Sequence, residues 1–310
     1  MLLIHNIPDP SADVPRPSVA AIGFFDGVHL GHHYLIEQVR AEAAKRGICS
    51  SLITFPVHPR KVVHAEYKPE LLTSYEEKIK LLETTDVDYC FALDFTSDVS
   101  HLTAYEFMRY ILKERYNVQG LVIGYDHRFG HNRSEGFEDY CNYGKALGID
   151  IVRAHARVVD RATISSSVIR RLLLAGDTVL AATYLGYDYF LDGTVVDGYK
   201  VGRTIGFPTA NIQVADPDKL IPADGAYAVW VAVNNQIYAG MLNIGHRPTI
   251  GNGFDRSIEV HILHFHSDIY HCPIRIYFVQ RIRSEMKFGG KEQLIEQLTK
   301  DAAAVNKILL

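Results

Sequence analysis

Two periods run along this chain and divide it. Up to about residue 157, short apolar runs alternate with longer stretches in which apolar residues recur every three or four positions. The runs "SVAAIGFF" (18–25), "CSSLITF" (49–55), "VDYCFALDF" (87–95), "VQGLVIG" (118–124) and "IDIVRAHAR" (149–157) have the length and composition of buried strands. Between them, "GHHYLIEQVRAEAAKRG" (31–47) puts Leu35, Ile36 and Val39 on one helical face and ends on Gly47, a residue suited to a helix C-cap. "SYEEKIKLLETT" (74–85), capped by Ser74, "TAYEFMRYILKERYN" (103–117) and "FEDYCNYGKALG" (137–148) are further helices. Strand and helix in alternation predict βαβ units around a parallel sheet, a Rossmann-like α/β domain.

The pattern changes near residue 185. "SSSVIRRLLLAGDTVLAATYLG" (165–186) reads as one helix. After it come "YFLDGTVVDGYK" (189–200), "AYAVWVAVNNQIYAGMLNIG" (226–245), "SIEVHILHF" (257–265) and "CPIRIYFVQRIR" (272–283), short strands separated by turn signals such as Asn234-Asn235. They predict a small antiparallel β-barrel or sandwich, closed by the helix "GKEQLIEQLTKDAAAVNKIL" (290–309). The domains expected are residues 1–184 and 185–310, and the length of 310 residues suits two.

Composition narrows the field. Apolar residues make up 47% and charged residues 22%, enough for two real cores. A formal charge of −4 and a pI of about 6.4 argue against a nucleic-acid or membrane-surface partner. Cys49, Cys90, Cys141 and Cys272 are scattered without a CxxC pair, which speaks against a disulfide framework or zinc site. The N-terminus lacks a basic region and a long apolar run, and no stretch approaches a membrane span. The expectation is a soluble cytoplasmic protein, a monomer or transient oligomer.

Chemistry concentrates in two places. "IGFFDGVHLGHHYLIE" (22–37) joins a strand to a helix, where an open α/β sheet places its ligand crevice. The helix start offers free N–H groups and a positive dipole end. Gly23 and Gly27 let backbone approach a phosphate, and Gly31 permits tight packing at the helix start. His29 and His32 near that end can donate hydrogen bonds to phosphate oxygens. Taken alone, an Asp-Gly pair is a plain turn, and the spacing of His29, His32 and His33 does not make a zinc site. The second place is "GTVVDGYKVGRTIGFPTANI" (193–212). Gly198, Gly202 and Gly206 punctuate it, with Lys200 and Arg203 between, a turn suited to polyphosphate although not a Walker A loop. Thr209 and Asn211 share a face of an extended chain, and oxygen ligands of that type suit Mg²⁺.

"FDGVHLGH" closely resembles the nucleotide-binding motif of the HxGH nucleotidyltransferases, in the form found in the prokaryotic bifunctional riboflavin kinase/FMN adenylyltransferases. "TFPVHPR" (54–60), "LLTSYEEKIKLL" (71–82), "VIGYDHRFGHNRSEG" (122–136) and "ISSSVIR" (164–170) resemble that family's further segments in order. The stretch 193–212 resembles its riboflavin kinase motif through the full GFPTAN, and "DGAYAVWV" (224–231) and "GMLNIGHRPTIG" (240–251) follow suit.

The resemblance implies ATP-dependent phosphorylation of riboflavin to FMN, followed by adenylylation of FMN to FAD, with Mg²⁺ as cofactor. It implies nucleotide contacts at Gly23, Phe25, Asp26, Gly27, Gly31, Ser165, Ser166 and Ser167 in the first domain, with His29, His32 and Arg170 acting at the phosphates. In the second domain it implies nucleotide contacts at Gly198, Lys200, Gly202, Arg203, Gly206 and Pro208, and metal ligands Thr209 and Asn211. Glu259 falls where the kinase's catalytic carboxylate sits, and Phe55, His58, Asp126 and Arg128 fall on the flavin side. His127 stands where the family pattern has Phe, which puts a stacking role there in question. Two rivals are an enzyme of the same superfamily with another nucleotide acceptor, which the GFPTAN barrel opposes, and a non-catalytic flavin binder.

Overall fold

In the computed structural model of the chain the described residues are 1–5, 15–64, 66–124, 128–155, 158–159, 162–198, 202, 205–248 and 254–310. They form two compact units, Met1–Ser166 and Ser167–Leu310.

The first unit is built on six parallel strands: β1 (Leu2–His5), β2 (Ser18–Ile22), β3 (Cys49–Thr54), β4 (Tyr89–Ala92), β5 (Val118–Ile123) and β6 (Asp150–Arg153), in the order β1-β4-β3-β2-β5-β6. Every residue of β2 is buried, because helices cover both faces of the sheet. Side-chain alternation divides the core accordingly. Ala20, Ile53, Phe91 and Leu121 point to one layer; Val19, Ala21, Leu52 and Val122 point to the other, onto Ile36, Val39 and Ala43 of α1 (Leu30–Arg46). The predicted caps are present: Gly47 ends α1 in the left-handed conformation, and Ser74 starts the helix Tyr75–Glu83 with a reciprocal capping box to Glu77. The helix predicted over 103–117 begins at Ala104 but is a π-helix from Phe107 to Arg115. The edge strand β1, pairing Leu2–His5 with Tyr89–Ala92, was not anticipated.

β2 is flanked by β3 on one side and β5 on the other. The strand order therefore switches between β2 and β5, and the crevice this creates lies at their carboxyl ends. "GFFDGVHLGHH" leaves β2 at that point.

The second unit corrects one expectation. The stretch 165–186 is two helices, Ser166–Ala175 and Thr178–Leu185. Gly176 breaks them with φ +83°, and Asp177 caps the second by accepting from the Leu180 N–H. A Cβ at Gly176 would fall 2.6 Å from Arg281 Cδ, so glycine is needed there on space as well as on dihedral. Beyond the short antiparallel pair β7 (Val158–Val159) and β8 (Ala162–Thr163) of the first unit, six antiparallel strands close into a barrel: β9 (Phe190–Val196), β10 (Ala210–Val214), β11 (Gly225–Val233), β12 (Gln236–Pro248), β13 (Phe254–Ile262) and β14 (Pro273–Arg283). Asn234 and Asn235 both take positive φ, 52° and 61°, as a two-residue hairpin turn requires. The final helix, Lys291–Leu309, buries Val305 against Ala228, Ala239 and Met241.

Candidate functional sites

Between β2 and α1 the chain makes a strained turn. Phe25, Gly27 and Val28 have φ of 54°, 79° and 35°. Two of these are not glycine, and burial holds them: Phe25 is 2% exposed and Val28 is 0%. Asp26 is buried as well, and its carboxylate accepts from the backbone N–H of Leu72 at 2.9 Å and of Thr73 at 3.1 Å. The Gly27 N–H donates to Thr73 Oγ1 at 3.0 Å, and the Ser166 hydroxyl donates to the Asp26 carbonyl at 3.0 Å. Asp26 is thus a tether across three segments. Gly31 packs directly on a catalytic candidate, since a Cβ there would lie 3.0 Å from the His29 ring and 3.1 Å from the Ile164 carbonyl oxygen.

His29 caps α1. Its Nδ1 accepts from the His32 backbone N–H at 3.3 Å, which leaves the proton of the neutral ring on Nε2. The His29 and His32 rings stack at 3.6 Å and 15°. Burial, then the neighbouring His29, His33 and Lys78, hold His32 well below the ordinary imidazole range. His32 is therefore neutral at pH 7, and its Nδ1 is buried without a hydrogen-bond partner. An unsatisfied ring nitrogen beside a helix N-terminus is a polar group awaiting a ligand.

On the opposite side of this turn, Phe55 is buried in the core and meets Phe95 edge to face at 5.5 Å, so its ring packs the scaffold. His58 caps the short helix Pro59–Val63, accepting from the Arg60 N–H at 3.1 Å. Its ring lies 4.6 Å from Phe24 and 5.3 Å from Tyr67. Asp126 and His127 lie outside the described residues; Arg128 is exposed, and Phe129 beside it stacks on Tyr140 at 4.3 Å. Ser165 and Arg170 are half-buried and Ser167 is exposed, all at the start of the helix Ser166–Ala175. Phe24, Tyr67 and Lys78, which is 1% exposed, join these residues without a sequence motif that gives them a role. No local pattern marks Lys78, because Glu76, Glu77 and Lys80 around it read as a solvated helix face.

In the barrel, strand register makes the site. β10 pairs with β13 to set Asn211 opposite Glu259, and β12 sets Asn243 opposite the same glutamate. The Thr209 hydroxyl donates to Glu259 Oε2 at 3.2 Å. Two cavities meet at Thr209. One, of about 220 Å³, is lined by Phe207, Asn243, Glu259, Met286 and Leu298 among others. The other, of about 450 Å³, is lined by Pro208, Phe265, Ser267, Asp268 and Tyr270 among others. A Cβ on Gly198 would sit 2.0 Å from Asn211 Nδ2, and one on Gly202 would sit 2.2 Å from the Phe207 carbonyl oxygen. Gly206 turns the chain at φ +83°. Lys200 and Arg203 lie outside the described residues.

A switch-point crevice with imidazoles at a helix N-terminus, in one unit, and a half-buried carboxylate lining a cavity, in the other, suit chemistry on phosphate groups at two places. Known proteins agree. Residues 11–168 match the family model for FAD synthetase and residues 185–309 that for riboflavin kinase. A bifunctional riboflavin kinase/FMN adenylyltransferase of Listeria monocytogenes is 39% identical over 91% of this chain and 90% of its own length. That of Escherichia coli K12 is 33% identical over 97% and 96%. A solved structure from Streptococcus pneumoniae, named a macrolide-efflux protein, is 32% identical, with a TM-score of 0.88 over 99% of both chains. The chain belongs to the bifunctional riboflavin kinase/FMN adenylyltransferase family, and carries both activities: riboflavin is phosphorylated to FMN, and FMN is adenylylated to FAD, with ATP as co-substrate. No helix among the described residues is long and apolar enough to cross a membrane.

Proposed function

We propose that adenylyl transfer belongs to residues 1–184 and phosphoryl transfer to residues 185–310, with the residues acting as follows. The family-model matches over 11–168 and 185–309 support the division. The observation that carries the kinase assignment is Glu259, a half-buried carboxylate that lines the smaller cavity and is engaged by Thr209, which lines both. The smaller cavity, with Phe207, Met241, Met286, Phe288 and Leu298, suits the flavin ring; the larger suits the nucleotide. Glu259 accepts the proton of the riboflavin 5′-hydroxyl as its oxygen bonds to the γ-phosphorus and the bond to the β-phosphate oxygen breaks. Gly198, Gly202, Gly206 and Pro208 bring backbone to the phosphates, and Lys200 and Arg203 bring positive charge. The oxygen donors Thr209 and Asn211, beside Glu259, fit Mg²⁺ in kind and would hold it; bound there, the ion neutralises phosphate charge.

In the first unit, a phosphate oxygen of FMN attacks the α-phosphorus of ATP and pyrophosphate leaves. His29 Nε2–H and His32 donate to the phosphate oxygens, with the N–H groups of α1 beside them. Gly23, Gly27 and Gly31 leave room for the nucleotide, while Phe25 and Asp26 hold the turn in shape. Ser165, Ser167 and Arg170 offer hydroxyls and a guanidinium for phosphate, while the Ser166 hydroxyl ties the helix start to the Asp26 carbonyl. His58, Asp126 and Arg128 face the flavin, with Phe55 backing them. The protein works in the cytoplasm as a monomer or transient oligomer, without nucleic acid or membrane. Replacing His29 and His32 by Ala and supplying FMN and ATP tests the first site. FAD formation at the parent rate would remove the role given to the turn.

A further inference from the structure

The mechanism above gives no task to the buried Lys78. Lys78 projects inward from the first turn of the helix Tyr75–Glu83, is 1% exposed, and carries its charge at the wrong end of a helix dipole. Its Nζ donates to the Phe55 carbonyl at 2.8 Å, where β3 has just ended, and sits 3.9 Å over the centre of the Phe24 ring. Asp26 is the opposite charge acting on it. One ammonium group therefore joins two segments, the turn that carries Phe24, Asp26, His29 and His32, and the stretch Phe55–His58. His58 itself meets the same Phe24 ring edge to face, with ring centres 4.6 Å apart.

We propose that Lys78 is a positioning residue for FMN adenylylation: its ammonium group fixes the phosphate-handling turn against the flavin-side segment, so that acceptor and nucleotide meet in one geometry. The proposal rests on the reading that this turn is the adenylyl-transfer site. Burying a lysine is unfavourable, and burial pulls its pKa down to about 8 from 10.5, with Asp26 opposing. The groups that face it are Asp26 of the turn, His32 of α1, Cys90 of β4 and, on its own helix, Tyr75. Burial pushes Cys90 and Tyr75 up to about 12, and His32 lies well below 6.5, so none of these three titrates where Lys78 does. The native chain loses this proton near pH 8 and the unfolded chain near 10.5, so the folded state gains stability between those values as pH rises. Loss of rate over the same range is then a loss of geometry and not of fold.

The test is FAD formation from supplied FMN and ATP between pH 6.5 and pH 10, for the parent, Lys78→Met and Phe24→Leu, with thermal melting of each. The parent rate should fall as pH rises through about 8. Lys78→Met should lower kcat/KM by about tenfold or more at pH 7 and abolish that fall, while melting no lower than the parent. Phe24→Leu removes the ring that favours the ammonium, and should move the fall down by about half a pH unit. A parent rate that is flat to pH 9.5 overturns the proposal whether or not Lys78→Met folds. So does a Lys78→Met rate within twofold of the parent. If the His29 and His32 variants also make FAD normally, it is the underlying reading that has failed; if they do not, Lys78 alone is misassigned.

Discussion

The two sites are made in different ways. At the end of β2, function depends on backbone: a turn with three positive φ values, a helix N-terminus, and buried His32 and Lys78, whose pKa values burial lowers. In the barrel, function depends on register: antiparallel pairing lines up Asn211, Glu259 and Asn243 across three strands, and the half-buried Glu259 carboxylate lines a cavity. The first arrangement spreads its chemistry over many weak contributions and is sensitive to packing and pH. The second concentrates it on one side chain in a stiff frame. The lesson is that a strained turn must be secured from several directions, here by Asp26, Thr73, Ser166 and Lys78, whereas a barrel site is secured by the sheet itself.

That contrast orders the expected effects. Glu259→Gln should reduce FMN formation from riboflavin by about 10²- to 10⁴-fold, the range of a positioned general base, and leave FAD formation from supplied FMN unchanged. The pair His29→Ala and His32→Ala should reduce FAD formation by about 10²-fold each, with phosphorylation of riboflavin intact. Gly198→Ala should also impair the kinase, by about tenfold, because its Cβ would clash with the Asn211 side-chain amide and displace it. A variant with normal kinase rate would show that Asn211 is free to move. The smallest effect is on stability. The unfolded chain protonates His32 near 6.5 and the folded chain only well below it. Stability of the first unit is therefore full above about pH 6.5 and declines as pH falls below it, and His32→Gln should flatten that decline in denaturant titrations.

Much of this was legible in the sequence. Period-two and period-3.6 patterns located five of the six parallel strands and the caps at Ser74 and Gly47, and motif order brought Glu259 and His29 to notice. What escaped has physical reasons. β1 escapes because its apolar run, Met1–Ile4, leads into no helical period before β2. The stretch 165–186 carries a continuous apolar face, so the break at Gly176 is visible only once Arg281 is seen to occupy the space beside it. Phe55 reads as a flavin contact but points into the core, because neighbouring strand-end residues face opposite ways. The tether made by Asp26 joins residues 46 and 47 positions apart, a pairing no local pattern encodes. Lys78 was hidden for the converse reason: on a helix surface a lysine is ordinary, and only its burial under Phe24 makes it informative.

The central claim is that one chain holds two chemically independent sites. Glu259→Gln tests it in a single preparation, incubated with ATP and Mg²⁺ and given either riboflavin or FMN, with the flavins separated by chromatography. Almost no FMN or FAD should form from riboflavin, and FAD should form at the parent rate from FMN. FMN formed from riboflavin at the parent rate, or loss of FAD formation from supplied FMN, would contradict it.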